Sequence, residues 1–215
     1  MVDFAVLRKT MLDNQIRTVD VTDPTVLAAF GSVPRELFVP AADRPFAYLD
    51  RPVEVAPGRV VPQPAVLARL VQFARPKRNE KVLLIGGTTG YTAAVLAALA
   101  GSVTMVESDA GLAAGATATL ADLANVTVVC GPLAAGRPEA APFDLILIDG
   151  GVEEIPAALI GQLAEGGRLI AVLGTGLSAR ATITEVGPAG AATRAAFSLP
   201  GVPLAAFAKP RVFAL

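Results

Sequence analysis

Residues Lys81–Ala97 read KVLLIGGTTGYTAAVLA. The run Val82–Ile85 is apolar throughout, as suits a short strand buried on both faces. Glycines at 86, 87 and 90 then mark a tight turn. The small residues after Tyr91 continue as a helix. Strand, glycine turn and helix in this order bring backbone N–H groups to a nucleotide-like ligand at a helix start.

The same alternation continues downstream. Strands are predicted at 82–86, 102–107, 126–130, 143–149 and 167–173, with helical segments at 91–100, 109–123 and 154–164. Two more strands, near 180–186 and 209–215, complete the sheet. This pattern predicts an α/β fold with a doubly wound, mostly parallel, Rossmann-like sheet over residues 81–215.

Upstream, Phe4, Leu7, Met11 and Leu12 recur at helical spacing. Asp23 followed by Pro24 is a helix start. VPRELFVP (33–40) is a proline-bracketed connection, RPVEVAPGRVVPQP (51–64) reads as short extended pieces and turns, and Pro64 opens another helix. Residues 1–80 are thus expected to form a helical and loop cap.

Composition narrows the chemistry. Of 215 residues, 53% are hydrophobic and 17% charged, which argues against disorder. There is no histidine and only one cysteine, Cys130. A Ser-His-Asp triad, a Cys-His dyad and a His/Cys metal site are excluded, so no metal is expected. An intrachain disulfide is also excluded, which suits a reducing cytoplasm. Residues 1–81 carry 12 of the 18 basic residues against nine acidic ones, without the dense stripe of a nucleic-acid binder. The cluster Arg75, Lys77, Arg78 and Lys81 reads as a solvated turn. Residues 82–106 carry no charge, but the GGTTG turn inside them does not suit a membrane span. Asp3, Arg8 and Lys9 interrupt any signal-peptide core near the start. No membrane or nucleic-acid partner is expected.

Glu107 ends the second strand, 21 residues after Gly86. A carboxylate there can accept both hydroxyls of a ribose, at roughly 1.5–3 kcal/mol for a charge-assisted pair. A dinucleotide loop would need glycines at 86, 88 and 91, where Thr88 and Tyr91 break the pattern. The looser G-x-G-x-G loop fails only at Thr88.

Several stretches in order, VPRELFVP, AYLDRPVEV, VVPQPAVLARL, VLLIGGTTGYTAAVLA, VTMVESD and FDLILIDGGVEEIPAALIGQLAEGGRLIAVLG, resemble the protein-L-isoaspartate O-methyltransferase family over nearly the whole chain. The resemblance implies a class I methyltransferase fold and S-adenosylmethionine as methyl donor. It also implies isoaspartyl carboxylates of damaged proteins as acceptors, hence protein repair. Gly86, Gly87, Thr88, Gly90, Glu107, Ser108 and Gly131 are then the cofactor-side residues, and Gln63 and Asp149 the acceptor-side candidates.

The chain departs from the family where polar groups are used. Leu84 replaces an acid before the glycine turn, Pro62 replaces the serine of Ser-Gln-Pro, and Pro132 replaces the aspartate after Gly131. Two lost charge-assisted contacts would weaken donor binding by roughly a hundredfold. Impaired activity is therefore expected, the alternative being a catalytically silent binding or scaffold protein on the same fold. Asp149 is a compensating crevice acid or a turn residue before Gly150. Gln63 orients an acceptor carboxylate or stabilises its turn. Tyr91 is expected to pack, Cys130 to be buried and inert, and the Glu107 carboxylate to be removable with little loss of stability.

Overall fold

The computed structural model describes residues 2–174 and 176–209. Its first helix, α1 (Phe4–Met11), is capped by Asp3, which accepts from the N–H groups of Ala5 and Val6. Asp23 does the same for α2 (Pro24–Ser32), where proline occupies the first position. An antiparallel hairpin, β1 (Val53–Ala56) and β2 (Arg59–Val61), leads into α3 (Pro64–Ala74). Gln63 precedes α3 without capping it. Asp50 serves instead, accepting from the Ala65 N–H at 3.0 Å and from the Gln63 side-chain amide at 2.8 Å.

The main sheet contains β3 (Lys81–Ile85), β4 (Ser102–Glu107), β5 (Val126–Cys130), β6 (Phe143–Val152), β7 (Leu163–Leu173), β8 (Arg180–Gly187) and β9 (Gly190–Ser198). Between them run α4 (Tyr91–Ala97), α5 (Ala110–Thr119) and α6 (Ala157–Ile160). The spatial order is β5-β4-β3-β6-β7-β8-β9. The first five strands of that order pair in parallel, while β8 and β9 return as an antiparallel meander. The order reverses beside β3, so the topological switch point lies where β3 ends, at Gly86. This is the doubly wound, mostly parallel sheet that the apolar strands predict.

Strand alternation divides the interior. Val82 and Leu84 face one way, into a cluster with Met11, Phe30, Leu67 and Tyr91. Leu83 and Ile85 face the other, with Ile146, Leu159, Leu204 and Phe207. The N-terminal helices share a core with the sheet. Tyr91 is buried edge-on to Phe30 and Phe38, a packing residue as expected.

Three expectations need correction. The helix predicted at 154–164 is only the four residues of α6, because Pro156 precedes it and β7 begins at Leu163. The last strand of the sheet is β9, whose sequence GAATRAAFS is almost wholly exposed and has no apolar alternation to reveal it. Of the strand predicted at 209–215, residues 210–215 lie outside the described residues, and Lys209 belongs to no strand. Cys130 is exposed, not buried, because β5 is the edge of the sheet. Of the basic cluster, Arg75, Lys77 and Arg78 form an exposed turn after α3, whereas Lys81 starts β3, is half-buried and donates to the Ala140 carbonyl. Among the described residues, no helix is long and apolar enough to cross a membrane.

One side chain pins that turn to the sheet. Arg168 on β7 donates to the carbonyls of Ala74 (2.7 Å) and Arg75 (2.6 Å) and pairs twice with Glu80 (3.0 and 2.8 Å). Burial pushes the Glu80 carboxyl up, but hydrogen bonds from Arg168 and the Lys77 amide leave it below its ordinary value. Arg168→Ala leaves a buried carboxylate and two carbonyls without their partner and is expected to cost about 3 kcal/mol at pH 7. Stability drawn from a depressed carboxylate exists above its unfolded value of 4.5 and is lost as pH falls through the folded one. Urea denaturation should therefore show the gap between parent and variant narrowing in acid.

Candidate active site

The loop after β3 holds its shape through specific contacts. The Gly86 N–H donates to Val106 (2.8 Å), the Gly90 N–H to Gly87 (2.8 Å). Gly90 has φ +97°, and a Cβ there would stand 2.6 Å from Leu120. A Cβ on Gly87 would stand 2.7 Å from the Met105 sulfur and 2.9 Å from Leu84. Those two glycines serve backbone shape and close packing. Thr88, which interrupts the glycine pattern, keeps a glycine-like left-handed backbone at φ +50°. That conformation costs a non-glycine residue about 1–2 kcal/mol. Its compensation is a hydrogen bond from the Thr88 N–H to the Glu107 carboxylate at 2.9 Å.

Glu107 has no exposed surface. One carboxylate oxygen accepts from the N–H groups of Ser108 (2.8 Å) and Asp109 (3.0 Å). The other accepts from Thr88 and from Arg59 Nη2 at 2.5 Å. Arg59 comes from the start of β2 and also donates to the Gly86 carbonyl at 3.1 Å. This corrects the idea that the carboxylate is dispensable for stability: truncating it would orphan three backbone donors and a cation. Ser108 is exposed. The Gly131 N–H donates to the Glu107 carbonyl at 2.9 Å, and a Cβ on Gly131 would meet nothing within 4 Å. Gly86, Thr88, Glu107, Ser108 and Gly131 thus meet at one place on the sheet's carboxyl edge.

The set has what a ribose-bearing cofactor would use, a carboxylate fixed by backbone donors with open space at Gly131, although Arg59 already holds one carboxylate oxygen. Two side chains stand against its floor. Arg59 Nη2 and Leu204 Cδ1 each lie 3.4 Å from where a Gly86 Cβ would be.

Beside this carboxylate is a mainly apolar cavity of about 150 Å³, whose walls include Arg59, Pro62, Gln63, Thr88, Asp149 and Leu204. Asp149 lies within β6, not in a turn, and is only 7% exposed. Its carboxylate accepts from the Thr92 hydroxyl at 2.5 Å. Burial pushes its pKa up to about 7, against the pull of Thr92, Arg59 and Arg35. Gln63 lines the cavity, but its amide nitrogen is held by Asp50, which favours the turn-stabilising role.

Two residues were missed by sequence reasoning. Arg35, inside VPRELFVP, is fully buried, donates to the carbonyls of Ala47 and Pro62 (both 2.7 Å) and lies over the Tyr91 ring. It fixes the Pro62 turn. Arg59 is the other, and only the short extended character of its segment was legible.

Residues 7–188 match the family model described as protein-L-isoaspartate(D-aspartate) O-methyltransferase (PCMT). The chain belongs to that family. A protein-L-isoaspartate O-methyltransferase of Koribacter versatilis is 41% identical over 174 residues, covering 80% of this chain and 78% of its own. A solved structure named protein-L-isoaspartate O-methyltransferase superposes with a TM-score of 0.76 at 26% identity, over 92% of this chain and 65% of its own. Another, described as a beta-aspartate methyltransferase from Plasmodium falciparum in complex with S-adenosyl-L-homocysteine, superposes with a TM-score of 0.78. At 17% identity, over 95% of this chain and 99% of its own, it shows the shared fold.

Within the O-methyltransferase framework the three departures have different surroundings. Leu84 is buried under Gly87 and Met105, so its loss of polarity is absorbed by the core. Pro62 lines the cavity with its carbonyl held by Arg35. Pro132 opens a short 3₁₀ turn, Leu133–Ala135. Asp149 gives a test of the site's electrostatics. The folded protein keeps a proton on it between the ordinary value of 3.8 and about 7, where the unfolded chain has lost one. Its contribution to stability is therefore full below 3.8, falls as pH rises to about 7, and is level above. Asp149→Asn keeps an acceptor for Thr92 and removes this dependence. The stability of the variant relative to the parent should grow between pH 4 and 7 and then stay constant, as read by thermal denaturation across pH.

Proposed function

We propose that this protein transfers a methyl group from S-adenosylmethionine to isoaspartyl carboxylates of damaged proteins, and does so slowly. The observation that carries the reading is the Glu107 carboxylate, fixed by backbone donors at the switch point of a family member and adjoining a cavity with Asp149 on its wall. The cofactor, when bound, supplies an electrophilic methyl group on a sulfonium. Glu107 is the group to accept ribose hydroxyls, with Gly86, Thr88, Ser108 and Gly131 lining the same edge. Gly87 and Gly90 keep the loop close-packed.

The absence of histidine is consistent with this chemistry. A carboxylate acceptor is already ionised at pH 7 and needs no base. What the protein supplies is alignment and exclusion of water. Asp149, holding its proton near neutrality, would donate a hydrogen bond to an entering carboxylate where an ionised aspartate would repel it. Gln63 and Pro62 shape the same wall. Slow turnover is supported by Arg59, which occupies a Glu107 oxygen, and by Pro62, which offers neither hydroxyl nor N–H. The lone cysteine and the lack of an intrachain disulfide favour the cytoplasm.

A silent scaffold on the same fold is the second reading, favoured by that same Arg59–Glu107 pair. Radiolabelled methyl transfer to an isoaspartyl peptide at saturating donor separates the two: slow but measurable transfer is expected. Glu107→Gln, which keeps the shape, should weaken S-adenosylhomocysteine binding more than about tenfold by calorimetry. Pro62→Ser alone should restore little activity. Binding of S-adenosylhomocysteine with no transfer at all would leave the scaffold; tight binding of NAD in its place would overturn both.

A further inference from the structure

Arg59 is attached to a firm base. Val53 and Val61, which pair across the hairpin, are buried, while Pro57 and Gly58 at its tip are exposed. Its side chain is 13% exposed and reaches across the cavity wall to the Glu107 carboxylate. Its Nε is buried without a hydrogen-bond partner among the described residues. Among the described residues lining the cavity, Arg59 is also the only cation. It therefore borders two places at once: the ribose-facing carboxylate on one side and the acceptor cavity on the other.

The Glu107 carboxylate offers about four lone-pair sites, and the structure engages them with three backbone N–H groups, one guanidinium nitrogen and, at the longer distance of 3.4 Å, the Ser108 hydroxyl. The backbone donors are fixed by the fold. On the oxygen that Thr88 and Arg59 share, a ribose hydroxyl gains a place where Arg59 gives one up. The guanidinium stays charged and, released within a mainly apolar wall, needs another anion. The substrate class assigned above brings one: its carboxylate.

We infer that Arg59 is a positioning residue that exchanges partners, held by Glu107 in this structure and by the acceptor carboxylate when the donor is bound. The inference rests on the methyltransferase reading and deepens it, because it makes donor and acceptor binding mutually dependent. The donor releases the cation that the acceptor needs, and the acceptor removes the cation that competes with the donor. Linkage requires the effect to be reciprocal.

The test is calorimetric titration of S-adenosylhomocysteine into the intact protein, with and without a saturating isoaspartyl peptide. In the parent, the peptide should tighten S-adenosylhomocysteine binding by about tenfold, within the usual range of coupling between sites. The same peptide with its acceptor carboxyl already methyl-esterified should not. Arg59→Gln should bind S-adenosylhomocysteine about tenfold more tightly than the parent when no peptide is present, since one charge-assisted bond no longer has to be broken. It should also bind peptide more weakly and show no coupling. Arg59→Lys, which keeps the charge, should retain coupling and serves if the glutamine variant fails to fold. Unchanged or weaker S-adenosylhomocysteine binding by Arg59→Gln, or coupling that survives the substitution, would overturn the exchange while leaving the methyltransferase reading intact. Failure of parent and both variants to bind S-adenosylhomocysteine would overturn both.

Discussion

A carboxylate without exposed surface is costly unless its lone pairs are filled, and Glu107 fills them with three backbone N–H groups, a guanidinium and a longer contact from the Ser108 hydroxyl, drawn from three parts of the chain. Thr88 comes from the loop after β3, Ser108 and Asp109 from the approach to α5, and Arg59 from the hairpin some fifty residues upstream. The bonds set the loop's curvature, the start of α5 and the position of the hairpin together. A carboxylate at a strand end could have been solvated; here it joins the sheet to the segment before it.

The same arrangement explains why residues ahead of the sheet matter to the site. Arg35 holds the Pro62 turn from below, and Asp50 caps α3 through Ala65 while tying Gln63. Glu36 is held in turn by Arg8 and the Tyr48 hydroxyl. None of these groups forms a second core. Met11, Phe30 and Val61 lie in one cluster with Leu84 and Leu145 of the sheet. The cavity wall is thus only as rigid as a chain of polar contacts set on shared apolar packing.

The fold was legible because its central strands have a strong signal. Val82–Ile85 and Leu145–Ile148 are apolar without a break, as burial on both faces requires. β9 carried no such signal, since its alanines face solvent. The glycine turn and Glu107 could be located from spacing, and the backbone of Thr88 shows why: the loop keeps the shape a glycine would favour although the residue has changed. Arg59 could not be found this way. A cation in a stretch of prolines and valines looks like any surface residue, and only the folded hairpin brings it to a carboxylate 48 positions away.

Burial of Asp149 has a consequence for any heat measured on this protein. With no histidine in the chain, a buried carboxyl with a pKa near 7 sits in the range that imidazole usually occupies. A ligand entering the cavity as an anion would favour the protonated form, drawing a proton from the buffer, whereas a cation would favour its release. The observed enthalpy of association would then vary with the buffer's own ionisation enthalpy, and the slope of that variation would count the protons. Buffer choice thus becomes a probe of the sign of charge that the cavity receives.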